Sequence, residues 1–183
     1  AFLNRGASYL FLGDTLKAMT DYDKAIKIDR FEPEGYIRRG RLLAERGDYD
    51  AAIKDMDKAI ELDSTNTLAY FNRAILHSEQ SHLNEAMADL NTVLRHEPGN
   101  ALTLYNRSLI SAQVGDFAAA LSDMDRVINI NPNNVLAYFN RAGFFLEMGR
   151  WDDALADYNK AIELYPDFAK AYMNRAYAEL QLG

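Results

Sequence analysis

Apolar, small and polar positions follow one another along this chain in an order that returns every 34 residues. The string Ala-Tyr-Phe-Asn-Arg-Ala occurs at 69–74 and again at 137–142, and related strings occupy 103–108 and 171–176. A fixed period of this size is typical of stacked, near-identical supersecondary units rather than of one globular core. The pattern therefore predicts a repeat protein whose function is binding along an extended surface.

Each repeat is expected to contain two helices joined by a tight turn. In the third repeat, Tyr70, Ala74 and His77 recur at helical spacing and so share one helical face. In the second repeat, Gly47 can end the first helix in a left-handed conformation, and Asp48 can cap the start of the second. The same turn glycine recurs as Gly13, Gly115 and Gly149. The sequence thus predicts a series of helical hairpins.

Aligned copies of the repeat form columns of similar residues. Alanine fills one column, at Ala18, Ala52, Ala86, Ala120 and Ala154. Small residues fill another, at Gly6, Gly40, Ala74, Ser108, Ala142 and Ala176. Five aromatic residues and one leucine fill a third, at Phe2, Tyr36, Tyr70, Leu104, Tyr138 and Tyr172. These columns resemble the tetratricopeptide repeat (TPR) family, in the subtype that reads Asn-Arg-Gly/Ala in its first helix.

The resemblance covers the whole chain and implies the fold. It implies an all-α, right-handed α-solenoid of antiparallel helix pairs, the TPR superhelix, with about eleven helices. A single array would span residues 1–183, as five full repeats and the first helix of a sixth. The expected repeats are 1–32, 33–66, 67–100, 101–134, 135–168 and a partial 169–183.

The two ends of the chain bear on how the array is completed. The chain begins two residues into the repeat register and stops at Gly183, directly after a first helix. Tyr172, Ala176 and Leu180 would then lack the helix that covers their equivalents. Because Leu180 and Leu182 would make a poor solvent-facing cap, we expect a fragment of a longer array. Self-association through open ends is a second possibility.

Composition and charge exclude several classes of function. The chain has no cysteine, which excludes disulfides, iron–sulfur clusters and cysteine nucleophiles. The net charge of −7 and a pI near 5.0 argue against nucleic-acid partners and anionic membrane surfaces. No apolar run approaches the roughly 20 residues of a membrane helix, and no targeting signal is visible. We expect a soluble protein, without direct membrane insertion, whose compartment the sequence leaves open.

No residue pattern predicts catalysis, a metal or a cofactor. The three histidines, His77, His82 and His96, belong to no His/Asp/Glu cluster with convincing metal-binding spacing. The chain also has no Gly-rich phosphate loop and no convincing Ser/His/Asp order. We therefore expect a protein that is not an enzyme and that binds no cofactor.

Arginine and aspartate form two columns that match almost one for one. Arg39 and Asp55 each lie eight residues from the turn at Gly47, so both sit roughly 12 Å from the end of the hairpin. Arg39 is also level with Asp21, which predicts that each interior arginine lies between two aspartates. A basic stripe, as in helical-repeat RNA binders, is the alternative to this internal ion-pair ladder. The predicted ladder comprises Arg39, Asp55, Arg73, Asp89, Arg107, Asp123, Arg141 and Asp157.

The resemblance also implies where a partner would bind. TPR arrays line a concave groove with their first helices, and the asparagine before the arginine faces that groove. Here this column holds Asn72, Asn106, Asn140 and Asn174, together with Asn4, while Arg38 interrupts it. An amide can both donate and accept, so it can pair with a peptide bond whatever the side chain. Such a ladder resembles the one in the superhelix of O-GlcNAc transferase; a merely solvated polar position is the alternative.

Apolar residues of the middle repeats share this predicted groove. They are Leu68, Phe71, Ile75, Leu102, Tyr105, Leu109, Leu136 and Phe139. Fully exposed, they would form a larger apolar patch than monomers usually tolerate, which favours a binding site. Packing between neighbouring first helices is the competing explanation, and we expect it to bury part of each side chain.

These observations favour one function over two others. The leading hypothesis is a non-catalytic scaffold that binds a segment of another protein in its groove, through the asparagine ladder and the apolar floor. The chain could instead be the targeting domain of a larger enzyme, or a structural block that assembles end to end. The sequence does not identify the partner.

Overall fold

The computed structural model describes all 183 residues and contains α-helices only. The prediction of an all-α protein with eleven helices is confirmed. The helices are α1 (Phe2–Phe11), α2 (Thr15–Ile28), α3 (Pro33–Glu45), α4 (Tyr49–Leu62), α5 (Thr67–Glu79), α6 (Leu83–His96), α7 (Ala101–Gln113), α8 (Phe117–Ile130), α9 (Val135–Glu147), α10 (Trp151–Leu164) and α11 (Ala169–Leu182).

The turns inside the helical pairs use the chemistry that their sequence provides. Gly47 adopts a φ of 80° between α3 and α4, a conformation that costs glycine little. The side chain of Asp48 then accepts a hydrogen bond from the Ala51 amide and caps α4. The α5–α6 turn differs, because Ser81 takes the positive φ, 62°, and His82 provides no side-chain cap.

The chain forms two compact units, residues Ala1–Pro98 and Gly99–Gly183. The first unit contains α1 to α6, as three pairs in which α2 also packs on α3 and α4 also packs on α5. The second unit contains α7 to α11, as two such pairs followed by α11, which packs on α10 and also touches α9. Each unit is therefore a short α-solenoid with a continuous core between successive pairs.

Small residues let the two helices of a pair approach each other closely. A Cβ added at Gly40 would lie 2.6 Å from the Met56 Cε atom and 3.2 Å from the Ala52 carbonyl oxygen. Ala74 and Ala142, at the same place in their repeats, are completely buried. The small residue that follows each arginine therefore sets the spacing between the two helices. It also places the arginine at the interface between them, which we call the seam.

Candidate functional site

In each pair made of a first and a second helix, the arginine of the first helix donates two parallel hydrogen bonds to an aspartate of the second helix. Arg73 donates from Nε and Nη2 to the two carboxylate oxygens of Asp89, at 2.8 and 2.7 Å. Asp89 is only 5% exposed. The same two-bond contact joins Arg5 to Asp21, Arg39 to Asp55, Arg107 to Asp123, and Arg141 to Asp157. We call these contacts the arginine rungs.

The second aspartate of a rung is not the one expected from the sequence. Arg39 was expected between Asp55 and Asp21, but its Nη1 donates instead to Asp23, at 2.8 Å. Asp21 is buried against α1 and accepts from Arg5. The two positions differ by two residues, which is about 200° around a helix. Residue counting gives the height of an aspartate along its helix, whereas the direction around the helix decides that Asp23, and not Asp21, faces Arg39 of the following repeat.

The hydrogen bonds of the rungs shift the pKa values of the charged groups that they join. The pKa of the Arg73 guanidinium is raised above its ordinary value, chiefly by its hydrogen bonds to Asp89. The hydrogen bond from Arg5 lowers the pKa of Asp21. Arg73 also lies over the ring of Tyr70, 5.5 Å from its centroid. Because their donors are already engaged within the chain, the rung arginines are poorly placed to form a stripe for nucleic-acid phosphates.

The asparagines of the predicted ladder are only partly engaged, and in two different ways. Asn72 and Asn106 each donate from Nδ2 to the carbonyl oxygen four residues earlier in their own helix, both at 2.8 Å. Asn140 donates to the Tyr105 hydroxyl at 2.6 Å, and Asn174 to the Tyr158 hydroxyl at 3.3 Å. In all four residues the Oδ1 atom and the second N–H make no further hydrogen bond within the chain.

The apolar residues near these asparagines divide by exposure. Leu68, Leu102 and Leu136 are 46%, 60% and 52% exposed. The other five predicted floor residues are half-buried, namely Phe71, Ile75, Tyr105, Leu109 and Phe139. Phe139 stacks on Phe168, with 4.7 Å between ring centroids. The leucines are thus the apolar side chains most available to a partner, and the remainder contribute mainly to packing between helices.

Two cavities open beside the asparagine column in the first unit. One, of about 280 Å³, brings Phe71, Asn72 and Ile75 together beside Arg41. The other, of about 380 Å³, has Leu68 on its wall, together with Tyr22, Arg38 and Arg41. Arg41 and Tyr22 are not among the residues predicted for the groove. Arg38 and Arg41 are three residues apart on α3, and that spacing could have indicated a shared face.

The structure offers little for other kinds of chemistry. It contains no group of three or more His, Asp or Glu side chains placed to hold a metal ion. His77 and His82 approach each other across the α5–α6 turn, with 6.0 Å between their ring centroids. None of the eleven helices combines the length and the apolar character needed to cross a bilayer.

Comparison with known sequences identifies the family. Profiles described as "TPR repeat" match residues 40–81 and 144–183, and profiles described as "Tetratricopeptide repeat" match 1–32, 71–135 and 124–156. The chain belongs to the tetratricopeptide repeat family, as its columns of residues predicted. Proteins of this family are generally non-catalytic interaction modules. No curated protein matches the sequence.

Solved structures with the same fold are similar in backbone but distant in sequence. A crystal structure of MamA has 24% identity and a TM-score of 0.82, covering 90% of this chain and 96% of that one. A TPR protein from Parabacteroides merdae has 23% identity and a TM-score of 0.86, covering 100% and 72%. YrrB, described as a TPR protein with an unusual peptide-binding site, has 19% identity and a TM-score of 0.82, covering 96% and 90%.

Proposed function

We propose that this protein is a non-catalytic scaffold that binds an extended segment of a partner protein on the face of its first helices that carries the asparagine column. We call this surface the groove face. One observation carries the proposal: amides with unused hydrogen-bonding capacity lie beside exposed leucines. In the second unit these are Asn106 and Asn140, with Leu102 and Leu136.

The amides suit recognition of a polypeptide backbone. Leu102 and Asn106 are four residues apart on α7, so they share one helical face. The open Oδ1 of Asn106 can accept from a peptide N–H, and its second N–H can donate to a peptide carbonyl. These bonds would not depend on the side chains of the partner, so they would support binding of many sequences.

The leucines would supply apolar contact area and would select among partners by their side chains. An exposed leucine gains free energy when a partner side chain removes it from water, at about 25 cal/mol for each Å² of apolar area. Leu102 and Leu136 are the second residues of α7 and α9, in equivalent positions of successive repeats. A partner that places apolar side chains against both would be preferred over one that does not. YrrB, with the same fold, is described as having a peptide-binding site, which supports the proposal only by analogy.

Selection from a random peptide library tests this function. The full chain is immobilised, peptides are selected, and their affinities are measured for wild type and for Leu102→Ala with Leu136→Ala. We expect the double variant to weaken the selected peptides by roughly tenfold or more, because two buried anchors are truncated. Leu16→Ala is the matched control, since Leu16 is 70% exposed but lies on a second helix. Equal affinities for wild type and the double variant would show that the groove face is not the site.

A further inference from the structure

The larger of the two cavities beside the asparagine column brings two guanidinium groups and a phenol hydroxyl together. They belong to Arg38 and Arg41 of α3 and to Tyr22 of α2, and the cavity measures about 380 Å³. Tyr22 is only 2% exposed, whereas Arg38 is half-buried and Arg41 is exposed. The cavity therefore has charged groups near the solvent and a hydroxyl on its buried wall. We call it the polar cavity.

The smaller cavity is the equivalent of the polar cavity one repeat further along the chain. The residues 34 positions after Tyr22, Arg38 and Arg41 are Met56, Asn72 and Ile75. All three line the cavity of about 280 Å³, which we call the apolar cavity. Arg41 lies between the two cavities and borders both. The same place of the repeat thus suits a polar ligand group in one copy and an apolar group in the next.

The guanidinium of Arg41 makes no hydrogen bond and no ion pair within the chain. Arg38 donates from Nε to Glu34 of its own helix at 2.6 Å, and this is its only carboxylate partner. The rung arginines differ, because each uses two donors on a buried aspartate. A guanidinium fork matches a carboxylate with two parallel hydrogen bonds. The polar cavity therefore offers unused donors for an anionic group.

Both arginines of the polar cavity act on the Tyr22 hydroxyl. Burial raises the pKa of this hydroxyl, and Arg38 and Arg41 act in the opposite direction. In the second unit, the residue equivalent to Arg38 also reaches a buried tyrosine, since Asn174 donates to the Tyr158 hydroxyl at 3.3 Å. A carboxylate that enters the polar cavity would meet two guanidinium groups and a hydroxyl that can donate.

Two glutamates, Glu34 and Glu45, also border the polar cavity. Glu34 accepts the hydrogen bond from Arg38. Glu45 lies four residues after Arg41, a spacing that permits pairing on a helix, but the two form no ion pair. Glu45 is exposed, so it can remain in water while another carboxylate pairs with Arg41. A basic ligand would meet the unpaired charge of Arg41, and we therefore favour an acidic one.

The spacing of the two cavities predicts a pattern in the partner. The helices α3 and α5 contact each other, and packed helices lie about 8–10 Å apart. A segment in polyproline II conformation completes a turn every three residues at about 3.1 Å per residue, so residues three apart lie about 9 Å apart on one side. Residues about three positions apart in such a segment would therefore face the two cavities.

We propose that the groove face of the first unit binds an acidic residue of the partner segment, whose side-chain carboxylate pairs with Arg41 and Arg38 in the polar cavity. An apolar residue about three positions away enters the apolar cavity. The acid is internal to the segment, because Asn4 and Asn72 flank Arg38 in the asparagine column, so the segment passes the polar cavity on both sides. This inference rests on the proposed function and adds the chemistry of one partner residue.

The probe is a random dodecapeptide library with acetylated and amidated ends, so that side chains carry the only carboxylates. The full chain is immobilised and peptides are selected. We expect enrichment of Glu or Asp about three positions from an apolar residue. Replacing that acid by Gln or Asn in the selected peptides should weaken binding roughly tenfold, since hydrogen bonds to a charged group are the stronger ones. A second library, with no acidic residue but a free C-terminal carboxylate, should not be enriched over its amidated form.

Variants of the protein test the two arginines directly. Arg38→Asn with Arg41→Ile gives the polar cavity the residues of its neighbour, and the acidic and amide peptides should then bind equally. Arg46→Gln is the matched control, at an exposed site at the end of α3, and should retain the preference. Glu45→Gln should strengthen binding of the acidic peptides roughly twofold, because a nearby competing charge is removed. Thermal melts check that all variants fold.

The outcomes separate this inference from the proposed function. Peptides that depend on Leu102 and Leu136 but show no preference for an acid would leave the proposed function standing and overturn the inference. Enrichment of Lys or Arg, a preference that survives in the Arg38→Asn and Arg41→Ile double variant, or selection of free C-terminal carboxylates would also overturn it. If no peptide is selected, the proposed function and the inference are both wrong.

Discussion

Asn72 and Arg73 are adjacent in sequence, yet they belong to two surfaces with opposite properties. Arg73 lies in the seam between helices, where three hydrogen bonds to Asp89 and Asp57 engage its guanidinium. Asn72 lies on the groove face, where one of its N–H groups bonds to its own helix and the rest of its amide makes no bond within the chain. The seam is closed to outside ligands, and the groove face is open to them.

The difference shows how one short string can serve both folding and binding. Successive residues of a helix are about 100° apart, so a two-residue string necessarily presents two surfaces. A charge removed from water needs its partner, and loss of one member of the pair leaves the other without compensation. A half-satisfied amide at the surface carries no such penalty, because water can complete its hydrogen bonds.

The largest expected effect comes from substituting these two neighbours separately. Arg73→Ala should lower the free energy of unfolding by roughly 3 kcal/mol or more, because the buried Asp89 loses its counter-ion. Asn72→Ala should change it by about 0.5 kcal/mol at most, as surface substitutions usually do. Urea denaturation followed by circular dichroism measures both. If the two variants lost similar amounts of unfolding free energy, the distinction between the seam and the groove face would be wrong.

A second prediction separates the two aspartates of one rung. In double-mutant cycles, the coupling energy between Arg73 and Asp89 should be roughly 2 kcal/mol, typical of hydrogen bonds to a desolvated charge. The coupling between Arg73 and Asp57 should stay below about 1 kcal/mol, because exposed ion pairs contribute little. The side chain of Asp57 is 52% exposed and that of Asp89 is 7% exposed. Equal couplings would mean that burial does not decide the strength of a rung.

The rung at Asp21 predicts a small dependence of stability on pH. The hydrogen bond from Arg5 lowers the pKa of Asp21 below its ordinary value of 3.8. The contribution is therefore complete above that value and is lost as pH falls through the pKa of the folded state. Asp21→Asn should make unfolding less sensitive to pH in this acidic range, whereas Asp167→Asn, at an exposed site, should not. If the free energy of unfolding of Asp21→Asn falls with acid as steeply as that of wild type, this rung does not contribute to acid sensitivity.

The period of 34 residues was sufficient to predict the eleven helices, because turn glycines, capping aspartates and small residues all recur with it. The partner of Arg39 on the preceding repeat was predicted wrongly. Height along a helix follows from residue counting, but the direction faced also depends on how successive repeats are rotated. The bonds of Asn140 to Tyr105 and of Asn72 to its own helix were not foreseen. Both depend on side-chain rotamers, which a repeat alignment does not contain.

The exposure of the groove residues also required the structure. Leu102 and Tyr105 are three residues apart in the same helix, yet one is exposed and the other half-buried. Desolvation raises the pKa of the Tyr105 hydroxyl, while its hydrogen bond with Asn140 acts in the opposite direction. The sequence indicated an apolar surface, and packing by the neighbouring first helix decides which of its members a partner can reach.

The most direct test of the account is a peptide array probed with wild type and with the double variant Asn106→Ala and Asn140→Ala. Backbone hydrogen bonds are common to all peptides, so we expect every bound peptide to weaken by a similar factor, roughly 5- to 150-fold for two bonds of ordinary strength. Leu136→Ala should instead change the rank order of the peptides, and thermal melts should show all variants folded. If the folded double variant binds the array as wild type does, the asparagines do not recognise the peptide backbone and the central claim is wrong.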